Sequence, residues 1–96
     1  MPLTELEARL RPIARERIAQ KILPCEVPNK MWGGTGSGKP CSLCDLAIQA
    51  DQVEYEIELP DADHGTTSWR FHIVCQSIWQ LECARHDHLL KQAAEG

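Results

Sequence analysis

Four residues carry the chemistry that is most specific in this chain. Cys41 and Cys44 stand in Cys41-Ser42-Leu43-Cys44, and His72 and Cys75 stand in His72-Ile73-Val74-Cys75, with His72 following Cys44 by 28 positions. Three thiolates and one imidazole form a tetrahedral donor set of the kind zinc takes. A two-residue interval within each pair lets one tight turn offer two side chains to one ion. A shell filled by four protein ligands leaves no position for water or substrate, so such a site builds a fold and does not catalyse. The expectation is one structural Zn2+ held by Cys41, Cys44, His72 and Cys75, in a protein that is not an enzyme. The alternative is four reduced side chains buried separately in a core.

The remaining candidates are weaker. Cys83 with His86 and His88 has the makings of a second cluster, but histidines near a helix C-terminus are favoured by the helix dipole, and Cys83 reads as a small apolar core residue. Cys25 and His64 are spare ligands without an evident partner. A catalytic Cys–His pair needs an oxyanion site that the sequence does not specify. Gly33 to Lys39 fits the start of a phosphate-binding loop, G-x-x-x-x-G-K, but Pro40 stands where the motif needs Ser or Thr to hold magnesium. A cysteine pair follows it instead of the helix whose N-terminus would receive the phosphates, so no nucleotide is expected.

The elements that must position the four ligands can be read from periodicity. Val53-Glu54-Tyr55-Glu56-Ile57-Glu58-Leu59 alternates as a strand with one buried and one wet face, and its glutamates read as the solvated face. Turn residues Pro60 to Gly65 follow, and Thr66 to Phe71 returns with Thr67, Trp69 and Phe71 on one face. The hairpin delivers His72 to the metal and leaves Arg70 on the other face, opposite the glutamates. From Ile73 to about Ala94 there is neither Gly nor Pro, and one long helix is expected, with Val74, Ile78, Leu81 and Leu89 on one stripe and Cys75, Trp79 and Cys83 on another. So wide an apolar arc either faces the core or, through Trp79 or Leu89-Leu90, meets another chain.

Upstream, Thr4 and Glu7 match a capping box that opens a helix. Pro12 predicts a break or kink near Arg11, after which Ile13, Ala14, Ile18, Ile22 and Leu23 supply an apolar stripe that ends at Pro24 and Pro28. The glycines between Gly33 and Gly38 predict a flexible connector, with Trp32 beside it either docked on the domain or exposed to a partner. The expected organisation is a helical segment at 1–28, a Gly-rich flexible loop at 29–40 and a zinc-finger domain at 41–96. The fold class is α+β: a small zinc-stabilised antiparallel hairpin or sheet, a long C-terminal helix, and an N-terminal helix or kinked helix pair.

Size and charge bound the rest. With 96 residues, 43% of them hydrophobic, the chain makes one small domain in which a metal is a natural staple. No apolar run approaches the length of a membrane span, and Met1 to Glu5 does not begin as a secretion signal does. Five cysteines including a C-x-x-C then read as metal binding in a reducing compartment, and the expected location is the cytoplasm. The net charge of −4 is uneven: residues 1–40 carry seven Lys/Arg against four Asp/Glu, and residues 41–96 carry three against ten. An acidic metal half repels a polyanion. The basic segment with Arg9, Arg11, Arg15 and Arg17 is ordinarily a solvated helix face, since Glu7 and Glu16 are interleaved with it.

The run Gly38-Lys39-Pro40-Cys41-Ser42-Leu43-Cys44, followed by a strand, a turn and Trp69-Arg70-Phe71-His72-Ile73-Val74-Cys75, resembles the zinc finger of poly(ADP-ribose) polymerase type. The resemblance covers residues 38–83, and the ligand pattern is shared by other treble-clef-like zinc modules. It implies Cys41, Cys44, His72 and Cys75 as ligands, on a small sheet with a following helix. Fingers of that family recognise DNA ends with basic and apolar surfaces, whereas this segment carries Glu54, Glu56 and Glu58. The chain also looks like short bacterial proteins with a helical N-terminus and a lone finger. The sequence therefore points to a non-enzymatic zinc module that mediates interaction with another macromolecule, first of all a protein or a second copy of itself. The alternative is a nucleic-acid-binding finger that uses the N-terminal Arg-rich helix. Arg9, Arg11, Arg15, Arg17, Trp32 and Trp79 are the candidate interaction surface.

Overall fold

A computed structural model of the chain describes residues 3–26, 30–61, 63 and 65–95. Helix α1 (Leu3–Ala19) is followed by strands β1 (Lys30–Thr35), β2 (Val53–Asp61) and β3 (Gly65–His72), and then by helix α2 (Ile73–Glu95). The strands form one antiparallel sheet in the order β1-β2-β3, and α2 lies against β2, β3 and α1. The α+β class and the long C-terminal helix are as expected. The Thr4 cap side chain, Pro28 and His64 lie outside the described residues.

One face of the sheet builds the core. Tyr55 pairs with Phe71 and Ile57 with Trp69 across β2 and β3, so alternation places these residues on the same side. Ile57 and Phe71 are fully buried there, and the Phe71 ring stacks on Trp79 of α2 with centroids 5.3 Å apart. Of the two places open to Trp79, the core and a partner-facing surface, the structure shows the core: it is only 4% exposed, and its Nε1 donates to the Pro24 carbonyl at 2.7 Å. The face of α2 that enters the core carries Cys75, Ile78, Trp79, Glu82 and Cys83, while Leu81, Leu89 and Leu90 are exposed. Periodicity alone does not say which part of a wide apolar arc the sheet will cover; the stack on Phe71 decides it.

The opposite face is less open than its glutamates implied. Glu54 is buried and accepts hydrogen bonds from Ser37 N at 3.2 Å and Ser37 Oγ at 2.6 Å. Arg70, paired across the strands with Glu56, reaches Glu54 at 3.7 Å and Glu56 at 3.6 Å, as the hairpin predicted.

The segment read as a flexible loop supplies the first strand of the sheet. Lys30–Thr35 pairs with β2 in continuous register, and Gly33 lies opposite Tyr55. A Cβ placed on Gly33 would stand 3.4 Å from the Tyr55 ring, so the aromatic covers the glycine and makes good its missing side chain. Beyond β1, Gly36 N donates to Gln52 O and Gly38 N to Ile48 O, while Ile48 N donates to Lys39 O, each at 2.9 Å. The remainder of the glycine-rich segment is thereby fastened to residues 48–52. Gly38, at φ 81°, occupies the left-handed region where glycine is favoured.

Helix α1 passes through Pro12 without ending, so of the two outcomes expected there, a break or a kink, the break does not occur. Proline removes one backbone donor and crowds the carbonyl four residues earlier. Against that, Leu10, Ala14 and Ile18 recur every four residues and all bury in the core, which holds the helix on both sides of the ring. The helix then ends at Ala19, earlier than Pro24. Lys21 adopts φ 62°, Ile22 N donates to Arg17 O at 2.8 Å, and Lys21 N donates to Ile18 O at 3.0 Å, the paired bonds of a Schellman cap. Ile22 is therefore exposed outside the helix, and Leu23 returns to the core.

Two links tie α1 and its following segment to α2. Cys25 and Cys83 are joined by a disulfide with their Cα atoms 5.2 Å apart, where sequence reading kept both reduced. Their separation of 58 residues hid the pairing, whereas the fold brings the end of the α1 segment onto α2. The second link is Glu82, whose carboxylate accepts from Arg11 Nε and Arg15 Nε, each at 2.7 Å. Burial alone would raise its pKa, but the two guanidiniums outweigh that and hold the carboxyl below the usual glutamate range. The folded-state pKa is thus depressed. The stabilisation is present above the unfolded glutamate value of about 4.3 and is lost as pH falls through the folded value. Glu82→Gln is expected to cost about 2 kcal/mol at neutral pH, less than a fully buried pair because both arginines are partly exposed. In urea melts the gap between parent and variant should be constant above about pH 5, narrow as pH falls past about 4.3 and close only below the depressed folded-state value; a gap that persisted once the carboxyl is protonated in both states would remove the charge from this account.

Candidate metal centre

The four predicted ligands converge where the hairpin, α2 and the first cysteine pair meet. Cys41, Cys44, His72 and Cys75 each offer one ligand atom, and these atoms all lie within 4.8 Å of one another. The His72 Nδ1 atom is 3.4 Å from Cys44 Sγ and 3.9 Å from Cys75 Sγ. Zinc–sulfur bonds of about 2.3 Å and zinc–nitrogen bonds of about 2.0 Å at a tetrahedral angle put sulfur and nitrogen about 3.5 Å apart. The cluster has the size of a four-coordinate shell, and it presents Nδ1, not Nε2, to the centre. It is the only such group of three or more ligand side chains among the described residues.

Each ligand is placed by a separate local device. His72 is the last residue of β3, and Cys75 lies in the first turn of α2, so the strand-to-helix junction sets this pair. Cys41 and Cys44 sit on a turn in which Asp45 N donates to Cys41 O at 3.0 Å and Cys41 N to Leu46 O at 2.9 Å. Leu43 N donates to Cys41 Sγ at 3.4 Å. Pro40 bridges to Ala47 at the base of the turn. The turn is docked on the free edge of β3: Ser42 N donates to Arg70 O at 2.6 Å, and Arg70 N donates to Ser42 Oγ at 3.1 Å.

Three supporting residues were not recognised from the sequence. Asp45 holds φ 67°, a left-handed position that closes the cysteine turn and that Asp tolerates better than most side chains. Arg17 of α1 grips it with Nη2–Oδ2 at 2.6 Å and Nη1–Oδ1 at 3.2 Å, and Nη1 also donates to Ser42 O at 2.7 Å. The Arg17 hydrogen bond holds the Asp45 carboxyl below its ordinary range. Ser42 completes the set through its bonds to Arg70. The acid that follows the C-x-x-C pair was the one sequence signal available, since a residue there must turn the chain sharply.

The candidate basic surface is accordingly engaged within the fold. Arg11 and Arg15 bind Glu82, Arg17 binds the cysteine turn, and Arg9 too has a partner. Of the remaining candidate surface residues, Trp32 is exposed and Trp79 is buried. The second proposed cluster does not assemble, because Cys83 is bonded to Cys25 and neither His86 nor His88 joins a metal-ligating group among the described residues.

Electrostatics of the three thiols favour a cation. A hydrogen bond from Cys75 lowers the Cys41 pKa to about 4, with help from backbone donors. Cys75, as the donor in that bond and next to the resulting negative charge, is pushed well up. Burial raises Cys44. Packed this closely, the group holds one thiolate readily and a second or third only when a positive charge arrives to offset their repulsion. The chemistry of the donor set fits a divalent ion that prefers sulfur and imidazole.

Beside the cluster, Leu6, Leu10, Ile13, Leu46 and Val74 line an open cavity of ≈ 550 Å³ that reaches Cys44 and His72. No helix is long and apolar enough to cross a membrane among the described residues. No protein-family profile matches the chain, and neither a curated protein nor a solved structure matches it.

Proposed function

We propose that the protein is a zinc-stapled, non-enzymatic module whose task is to present a surface to another protein. The observation that carries this reading is the gathering of Cys41, Cys44, His72 and Cys75, whose ligand atoms all lie within 4.8 Å of one another. Four protein donors around one ion support a structural metal, and a reaction would need an open position or a separate nucleophile with its base. The likeness to fingers of poly(ADP-ribose) polymerase type and other treble-clef-like modules belongs to the same proposal. It rests on the ligand order and on the helix whose first turn carries the fourth ligand.

A protein partner is preferred to nucleic acid for an electrostatic reason. Phosphate binding requires basic side chains turned to solvent, and Arg11, Arg15 and Arg17 neutralise carboxylates of their own chain. Exposed Ile13 and Leu46 beside the metal cluster, and Trp32 on the sheet, are apolar and suit a protein surface better. A cytoplasmic setting completes the reading: it keeps the ligand thiols reduced, and there the Cys25–Cys83 bridge is subject to reduction by cellular thiols.

Ligand substitution and DNA titration test this together. His72→Ala is expected to lose zinc and fold, His72→Cys to keep both because zinc accepts four thiolates, and His86→Ala and His88→Ala to match the parent. Nicked duplex DNA at physiological salt should bind no better than weak non-specific background. Zinc retained in His72→Ala but lost with His86 or His88 would overturn the ligand set. Nanomolar binding to nicked DNA would favour the nucleic-acid reading.

A further inference from the structure

The two edges of the sheet are treated differently. The β3 edge is closed by the cysteine turn through the reciprocal Ser42–Arg70 hydrogen bonds. Among the described residues the β1 edge has no strand beyond it: β1 is terminal in the order β1-β2-β3, and all six of its residues are exposed. In an antiparallel pair alternate residues turn their N–H and C=O groups away from the neighbour, so β1 offers a row of backbone donors and acceptors to solvent. Natural edges are commonly protected by bulges, prolines or a run of charge. β1 has a continuous register with β2, no proline, and Lys30 as its one charged residue.

The side chains of β1 add a specific shape. Gly33 is covered by Tyr55, whereas a Cβ on Gly34 would meet nothing within 4 Å, which leaves a slot on the sheet surface. Two residues before it, on the same face, Trp32 is 43% exposed. Met31, on the other face, is 48% exposed.

From these features we propose that β1 is a self-pairing edge, at which a second copy of this chain adds its own β1 antiparallel and extends the sheet across a two-fold axis at Gly33. In that register each Trp32 lies opposite the Gly34 of the other copy, and each Met31 lies opposite its Thr35. The indole fills the slot that Gly34 leaves, the same aromatic-over-glycine arrangement that Tyr55 and Gly33 make within the chain. An antiparallel pairing of like strands is self-complementary, so one contact forms twice and the assembly closes as a dimer. The proposal deepens the interaction-module reading by naming a surface and a partner, and it does not depend on the identity of the metal.

Sedimentation equilibrium of the zinc-loaded protein over a wide concentration series tests it. The apparent mass should rise from one chain towards two in the parent. Gly34→Lys should stay at one chain throughout, because a side chain there has room in the single copy but occupies the slot that Trp32 of the second copy needs. Trp32→Ala should raise the dimer dissociation constant about tenfold. Zinc content and circular dichroism, measured on each sample, show whether the variants are folded. A parent that remains one chain at every concentration would overturn the pairing and leave the zinc-stapled reading untouched. Dimers that survive Gly34→Lys, or that are abolished by Leu89→Lys instead, would place self-association elsewhere and overturn it equally.

Discussion

One zinc ion per chain is the expected metal content of the purified protein, and its removal is expected to unfold residues 41–90. The cluster joins four structural pieces at one point: the cysteine turn, the end of β3, the first turn of α2 and, through Arg17, helix α1. Without a cation the site must hold thiols whose charges repel and whose burial opposes ionisation, which is the state reflected in the raised Cys44 and Cys75 pKa values. Apparent binding free energies for sites of this type are about 10–16 kcal/mol, against about 5–15 kcal/mol for the net stability of a whole domain. Loss of the metal therefore removes an amount comparable with everything else that holds the fold. Because Cys44 and Cys75 must shed protons to bind, zinc affinity should fall as pH falls. Metal analysis, together with amide spectra before and after chelation, checks both points. A protein that purifies without zinc, or whose spectrum is unchanged by a chelator, would contradict the structural role.

What the sequence revealed and what it concealed divide along sequence distance. The ligand pairs are local, each contained within four residues, and the β2–β3 hairpin and α2 follow from short-range alternation and an absence of breakers. These were legible. The concealed features are long-range. Glu82 looks like one more surface acid on a helix until Arg11 and Arg15 arrive from residues 71 and 67 positions away. Cys25 and Cys83 look like stray thiols for the same reason. Pro12 reads as a break or kink because its cost is local, whereas the burial of Leu10, Ala14 and Ile18 that carries the helix through it is tertiary. Trp79 was ambiguous because the helix presents more apolar arc than the sheet covers. In β1 the misleading residues were the glycines, which are disfavoured in strands by entropy and lack of packing. Here Tyr55 covers one of them, and backbone pairing to β2 fixes the other.

The glycine-rich segment gives the sharpest test of that last point, because the loop and the structure predict opposite outcomes at Gly36. In a flexible connector, Gly→Ala is neutral or stabilises slightly, since it restricts the unfolded chain more than the folded one. In the structure a Cβ on Gly36 would stand 1.9 Å from Gln49 O and 2.5 Å from Ile48 O, both backbone atoms. Neither can turn aside as a side chain would. The segment must separate from residues 48–52, which strains the hydrogen bonds from Gly36 N to Gln52 O and from Gly38 N to Ile48 O. The cost of forcing extra atoms into a closed contact of this kind is about 3 kcal/mol, or a fall in thermal midpoint of more than about 10 °C for a domain of this size. The consequence reaches the metal, because Ile48 N also binds Lys39 O and so holds the base of the turn that carries Cys41 and Cys44. Gly36→Ala should therefore bind zinc more weakly as well as melt earlier. Gly34→Ala is the control, with open space around its Cβ, and should lie within about 0.5 kcal/mol of the parent. Thermal melts and competitive zinc titrations of the two variants decide the matter, and equal behaviour of the two would mean that the close backbone approach at Gly36 does not exist in solution.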